Sequence, residues 1–440
     1  MGAMGMARGT KPPSCGLKGV PSMVARAVAV GRWGRSHRRW ERSAVERIGG
    51  GGVPRLCEAR RRRVHRHSGE SPGPVGSQGG SSADVLVSRM LSRYGIAVLL
   101  GLCLLAGGGR MQLPALECFL ASWSLVAVVG GWAVPKMGRL KQTFQEDGPE
   151  HARKEGTPTA GGAFFVPIGV LVGLCFAWPL VARVQAQRTV ALAVACCTFS
   201  CGLVGLADDL LIIAKRTNKG VSPRLKLSLQ LVASFAFCAV ALLSNYRQIS
   251  LALPLLAGQA MGVLYSASSV VVIAGESNAV NLTDGIDGLA SGLFAIAAVG
   301  LGATLASPRY SSPGLALMCW SMAGAACGFL AHNGNPAKIF MGDTGSLALG
   351  AFLASTAVGT GCVVPFLLLT MVFNLEMLSV MLQVGYYKWT RARCGEGRRI
   401  FKMAPFHHHL EQCNWSEGGI VLAFYASGIC LLAGNFFLPL

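Results

Sequence analysis

Asn278-Ala-Val-Asn281-Leu-Thr-Asp284-Gly-Ile-Asp287-Gly-Leu-Ala290 sets two Asn, a Thr and two Asp between long apolar runs. The flanking runs, 251–273 and 286–306, each approach the ~20 residues that cross a bilayer as a helix. Polar and ionisable groups are expensive at membrane depth, so such a cluster is a functional suspect. Asn278, Asn281, Asp284 and Asp287 recur every third residue. On a helix that spacing keeps neighbours on one slowly drifting face. A Gly after each Asp lets the backbone turn tightly and approach a ligand closely. The plain alternative is a polar loop with a helix cap.

The rest of the chain has the same character. Of 440 residues, 52% are hydrophobic and only 14% charged, and the mean hydropathy is +0.47. That is an integral-membrane composition. Apolar windows at roughly 118–136, 163–182, 189–212, 226–245, 251–273, 286–306, 314–331, 344–361, 363–387 and 418–438 predict about ten transmembrane helices. The expected fold is an all-α integral membrane protein with a one-sided polar active-site face. A weaker apolar piece at 95–107 is too short to assign as a span.

Residues 1–90 hold 17 Lys and Arg, 15 of them Arg, against five acids. This Arg-rich, Ser/Gly/Pro-rich stretch has no continuous apolar core, so it reads as an organelle transit peptide and disordered linker. The division expected is 1–90 targeting, 91–112 a short apolar segment, and 113–440 a multi-helix membrane domain. A basic chain suggests nucleic acid, but the excess here lies in one tail and in loops between apolar segments. No nucleic-acid partner is expected. The 15 Cys include no CxxC pair and sit mostly in apolar runs, which argues against a thiolate zinc site.

With ten spans, alternate loops share a side. The loops 136–162, 208–226, 274–285, 332–343 and 388–417 carry 17 Lys and Arg, and the opposite loops carry four. The positive-inside rule puts the first set in the cytoplasm-equivalent compartment. Every polar motif falls on that side, which implies one shared site.

Five motifs lie there. Lys154-Glu-Gly-Thr-Pro-Thr159-Ala-Gly-Gly162 offers a point charge, hydroxyls and a rigid turn. Asp208-Asp209 is an acid pair at a span end, tolerable beside a cation or with one proton shared; Lys226 and other cations follow it. The third is the 278–290 stretch. Asn333 to Ser346 contains Phe340, able to stack on a flat ring or simply to pack, and Asp343, suited to a hard cation. Pro405-Phe-His407-His408-His409 lies in the longest basic loop. Consecutive His cannot all face one ion on a regular element, so phosphate contacts fit them better than metal. Glu376 and Gln383, seven apart, share a helix face within a span, where a structural hydrogen bond is as good a reading as function. Carboxylates, Lys, Gly turns and hydroxyl donors at a membrane surface match Mg²⁺-assisted phosphoryl transfer. No GxxxxGK[ST] occurs, so a Walker ATPase is unsupported.

KEGTPTAGG (154–162), Asp208-Asp209, NLTDGIDGLA (281–290), FMGDTGSLALG (340–350) and MAPFHHHLE (403–411) together resemble the signature set of the phospho-N-acetylmuramoyl-pentapeptide transferase family (MraY). The resemblance covers roughly 113–440, in matching order, and the His run favours this family over the related GlcNAc-1-phosphate transferases. Ala160 stands where the family pattern has Met, and the loop 388–402 is longer than the bacterial pattern. The resemblance implies ten transmembrane helices, Mg²⁺, UDP-MurNAc-pentapeptide as donor, polyprenyl phosphate as acceptor, and UMP and lipid I as products. It implies that Asp208 and Asp209 serve the lipid phosphate, with Asp208 a candidate base. Asp343 would bind Mg²⁺, with Asn281 or Asp284 assisting. Lys154, Thr159, Asp287, Asn333 and Phe340 would bind the donor, and Lys226, His407, His408 and His409 its phosphates. A homodimer is among the partners kept open. An Arg-rich presequence on a bacterial-type enzyme points to a plastid membrane with the site facing the stroma. The competing readings are a sibling enzyme using UDP-GlcNAc, a transporter and an inactive scaffold.

Overall fold

The computed structural model describes residues 94–97, 100–101, 111–139, 156–215, 220–252 and 259–437. The expected targeting segment 1–90, most of 95–107 and Lys154 lie outside the described residues. The described residues form helices and connecting turns. In order these are α1 (Gln112–Lys136), α2 (Gly162–Val181), α3 (Gln185–Lys215), α4 (Pro223–Ala252), α5 (Gln259–Thr283), α6 (Leu289–Ala306), α7 (Pro313–Asn333), α8 (Gly342–Thr360), α9 (Val363–Leu369), α10 (Met371–Cys394), α11 (Phe406–Glu411) and α12 (Glu417–Phe437).

Seven of these, α1, α2, α3, α4, α6, α7 and α12, are each long and apolar enough to cross a membrane. An eighth span forms if α9 and α10, bent by 71° at Thr370, are taken together. The expected count of ten is reached only by adding α5 and α8. Both carry polar residues at one end: α5 has Glu276, Asn278 and Asn281, and α8 opens on Gly342-Asp343-Thr344-Gly345-Ser346. The window expected at 251–273 is displaced, since α4 runs on to Ala252 and α5 extends to Thr283. The helical reading of 278–287 holds only for its first half. Asn278 and Asn281 sit on the last turns of α5, whereas Asp284 and Asp287 sit on the turn that leads into α6.

The helices sort into an inner and an outer set. In α6 and α7, 83% and 94% of the apolar window is buried, against 33% in α1 and α12. A helix apolar all round belongs inside, and one whose leucines stay exposed faces lipid. Accordingly Leu113, Leu120, Val128 and Trp132 of α1 point outward, while Leu315, Met318, Met322 and Phe329 of α7 are fully enclosed. α8 lies between α3, α5 and α2. Its approach to α3 needs Gly205, because a Cβ there would strike the Asp343 and Thr344 backbone. This close crossing brings the acid pair at the end of α3 to the first turn of α8.

Candidate functional site

The N-terminus of α8 is the centre of the arrangement. Its first residue, Gly342, has φ +71, where an L side chain is strained. A Cβ at Gly342 would fall onto the Asp209 carboxylate and within 2.9 Å of Thr159 Oγ1 and Ala160 N. Asp209, 3% exposed, closes the helix end. Its Oδ1 accepts Asp343 N–H at 3.1 Å, and its Oδ2 accepts Thr344 N–H at 3.0 Å and Thr344 Oγ1–H at 2.6 Å. An acid at this end answers the orphan N–H groups and the macrodipole together. Asp209 therefore acts on α8, and its neighbour Asp208 faces elsewhere.

Asp208 accepts Val221 N–H at 2.6 Å and lies 3.2 Å from Lys226 Nζ. The same ammonium also bonds Asp343. Lys226 thus sits between two carboxylates from α3 and α8. Asn281 Nδ2–H donates to Asp343 Oδ1 at 2.7 Å and to Ser346 Oγ at 2.9 Å. So α3, α4, α5 and α8 all contribute polar groups to a single cluster at one end of the bundle. Two carboxylates compensated by one ammonium are tolerable where each alone is costly.

Beside it runs a short backbone pairing. Phe340 N–H donates to Pro158 O at 2.8 Å, Gly161 N–H to Phe340 O at 2.9 Å, and Gly162 N–H to Met341 O at 3.0 Å. The 156–162 turn and the approach to α8 are thereby one unit, with Thr159 buried and Phe340 half-buried. Asp287 accepts Ala337 N–H at 2.9 Å. Asn333, 2% exposed, accepts from Gly288 N–H at 3.1 Å and Ser291 Oγ–H at 3.0 Å, and donates to Ile339 O at 3.0 Å. Both lone pairs of its amide oxygen are used inside the fold. Asn333 holds the 284–288 turn against the 334–340 loop.

The three His do not behave alike. His407 is fully buried against Glu376, with its N–H 3.1 Å from Oε1 and its Nδ1 3.2 Å from Oε2. Burial, the larger influence, holds its imidazole below the ordinary value despite the carboxylate. His408 bonds Glu411, and His409 Nδ1 accepts Lys402 N–H at 3.1 Å while its ring packs on Phe401 and Phe406. His407 and His408 lie ring to ring, centroids 4.2 Å apart, with both Nε2 atoms near Gly285.

The structure brings Asp208, Asp209, Lys226, Asn281 and Asp343 together, with Thr159 touching them through Gly342. Asp284 and Asp287 occupy the turn into α6, and Phe340 lies paired with the 158–161 segment. Sequence reasoning placed Thr344 and Ser346 in the motif after Asp343 without giving either a partner, and missed Ser291, which looks like a small residue of an apolar helix. It also missed Glu276, 3% exposed, which accepts Asn374 Nδ2–H at 3.2 Å beside the α9–α10 bend. Among the described residues no group of three or more His, Cys, Asp or Glu is placed to enclose a metal. A hard cation that keeps phosphate and water in its shell needs only one or two carboxylates. Asp343 and Asp208, already gathered around a cation, supply that number, and Asn281 orients the first.

Residues 191–361 match the family described as glycosyl transferase family 4. The chain is 45% identical over 339 residues to the phospho-N-acetylmuramoyl-pentapeptide-transferase of Trichormus variabilis, covering 75% of this chain and 88% of that protein. It is 46% identical over 331 residues to the protein of the same description from Nostoc sp., covering 74% and 86%. With that of Rippkaea orientalis it shares 40% over 349 residues, covering 77% and 93%.

Proposed function

Because the chain belongs to the phospho-N-acetylmuramoyl-pentapeptide-transferase family, we propose that it transfers phospho-MurNAc-pentapeptide from UDP-MurNAc-pentapeptide to a polyprenyl phosphate. A lipid phosphate oxygen bonds to the sugar-bearing phosphorus, the bond to UMP breaks, and lipid I forms. The observation that carries this is the Lys226 ammonium held between Asp208 and Asp343 at one end of a membrane bundle. Phosphoryl transfer asks a protein mainly for charge compensation and alignment, and that is what this cluster offers.

The residues divide the work. Asp208, at the end of α3, faces the lipid phosphate and takes its proton if it arrives protonated. Asp209 keeps the first turn of α8 in place. Asp343, with Asn281 or Asp284 assisting, would hold Mg²⁺, with Asp208 as the second carboxylate. An ion held there would supply charge neutralisation to the diphosphate and its leaving group. Lys226 offers its ammonium to the same oxygens. Phe340 stacks on the uracil, with Lys154, Thr159 and Asp287 completing the nucleotide pocket and Asn333 supporting it. His408 and His409 contact phosphate. The cyanobacterial origin of the relatives and the Arg-rich residues 1–90 support a plastid membrane with the site on the stromal face. A fluorescent fusion of residues 1–90 is expected in plastids, and its delivery to mitochondria would contradict that location.

Donor choice tests the reaction. Purified full-length chain, given polyprenyl phosphate and Mg²⁺, is expected to release UMP from UDP-MurNAc-pentapeptide. Release from UDP-GlcNAc alone overturns the assignment in favour of a sibling transferase.

A further inference from the structure

Glu376 lies on α10, 2% exposed, on a face otherwise lined by Val372, Phe373 and Ser379. A carboxylate is costly there unless it is hydrogen-bonded. Its partners both belong to His407: the backbone N–H to Oε1 at 3.1 Å and ring Nδ1 to Oε2 at 3.2 Å. The opposite ring atom, Nε2, is buried and has no hydrogen-bond partner. It points at the turn between Asp284 and Asp287, because a Cβ built on Gly285 would fall against it and lie 3.1 Å from His408 Nε2. Three elements are thus linked in series: α10, the histidine helix α11, and the 284–288 turn.

The two bonds fix the chemistry of the ring. A carboxylate that already accepts a backbone N–H is an acceptor toward Nδ1 as well, so the ring proton sits on Nδ1. A lone pair is then left on Nε2, facing Gly285. Such a ring accepts and does not donate, which is the wrong sense for a phosphate oxygen. His407 is placed to brace the turn, and a phosphate contact through Nε2 would need the other tautomer. The other titratable groups facing it are His408 and Glu411.

We propose that Glu376 is a positioning residue: through the backbone and ring of His407 it locks the Nδ1–H tautomer and sets the histidine helix against the Gly285 turn that carries Asp284 and Asp287. The effect on turnover rests on the transfer reaction proposed above; the tautomer does not.

Glu376→Gln is the discriminating variant. Its amide still accepts the His407 backbone N–H, but its NH₂ group faces Nδ1 and drives the ring proton to Nε2. Misplacing groups around a reaction centre by about 1 Å can cost on the order of 100-fold, so kcat is expected to fall on the order of tenfold or more, with the donor KM raised as well because Asp287 lies on the same turn. Loss of the carboxylate also favours the neutral ring, so any acidic limb of the kcat profile set by His407 moves to lower pH. The decisive readout is ¹⁵N NMR of histidine-labelled full-length protein, with the His407 signals assigned by their loss in His407→Asn. Wild type is expected to show protonated Nδ1 and bare Nε2, Glu376→Gln the reverse, and Glu376→Asp the wild-type pattern. A wild-type ring protonated on Nε2, or a Glu376→Gln variant with unchanged tautomer and kcat, overturns the proposal. If wild type transfers nothing from UDP-MurNAc-pentapeptide, the functional reading fails while the NMR result still decides the tautomer.

Discussion

Asp343→Asn is expected to cut UMP release by about three orders of magnitude, ~4 kcal/mol of barrier at roughly 1.4 kcal/mol per decade. Asn is close in shape and can still accept from Asn281 Nδ2, so the fold should survive. What disappears is a charge that meets both Lys226 and the proposed Mg²⁺. Removing one preorganised electrostatic group from a reaction centre typically costs ~10²–10³ in rate, and Asp343 serves two cations at once. Lys226 would keep only Asp208 as an ionic partner, 3.2 Å away. The check is steady-state UMP release at saturating donor and Mg²⁺, beside a thermal unfolding curve. Near-normal release with an unchanged melting temperature would remove Asp343 from the metal role.

Gly342→Ala is the second large effect, and it arrives through structure. The residue sits at φ +71, where an L side chain costs ~1–2 kcal/mol. Its new methyl group would also press on the Asp209 carboxylate and lie 2.9 Å from Thr159 Oγ1 and Ala160 N. Overpacking of this kind adds about 1–3 kcal/mol. The contacts most disturbed are the Asp209 bonds to Asp343 N–H and Thr344. A lower melting temperature and a fall in kcat of more than about tenfold are expected. Full stability and activity would mean that the first turn of α8 is not held as described.

Much of this was legible in the chain because membranes simplify reading. Apolar windows gave the helices to within a few residues where a helix was uniformly apolar, as in α2 and α6. The reading slipped at α5, because Glu276, Asn278 and Asn281 interrupt the hydropathy that a window averages. Charge pairs in neighbouring motifs could be grouped by loop side, so the meeting of Asp208, Lys226 and Asp343 follows from topology. What each acid does could not be read that way. Asp208 and Asp209 are adjacent and chemically identical, yet one faces Lys226 and the other caps α8. That split depends on the crossing of α3 with α8 at Gly205, a contact 138 positions apart in sequence (343 minus 205). His407 could not be told from its two neighbours for a similar reason. Three consecutive His suggest three similar groups, and only the α10 partner Glu376 reveals that one is buried.

The most direct test of the central claim is the acceptor dependence of UMP release by the purified full-length chain. With UDP-MurNAc-pentapeptide and Mg²⁺ present, UMP is predicted to appear only when polyprenyl phosphate is added. It should appear in equal amount with a lipid-linked phospho-MurNAc-pentapeptide, and stop when the metal is chelated. Release of UMP without the lipid, or lipid-dependent turnover untouched by chelation, would contradict the account.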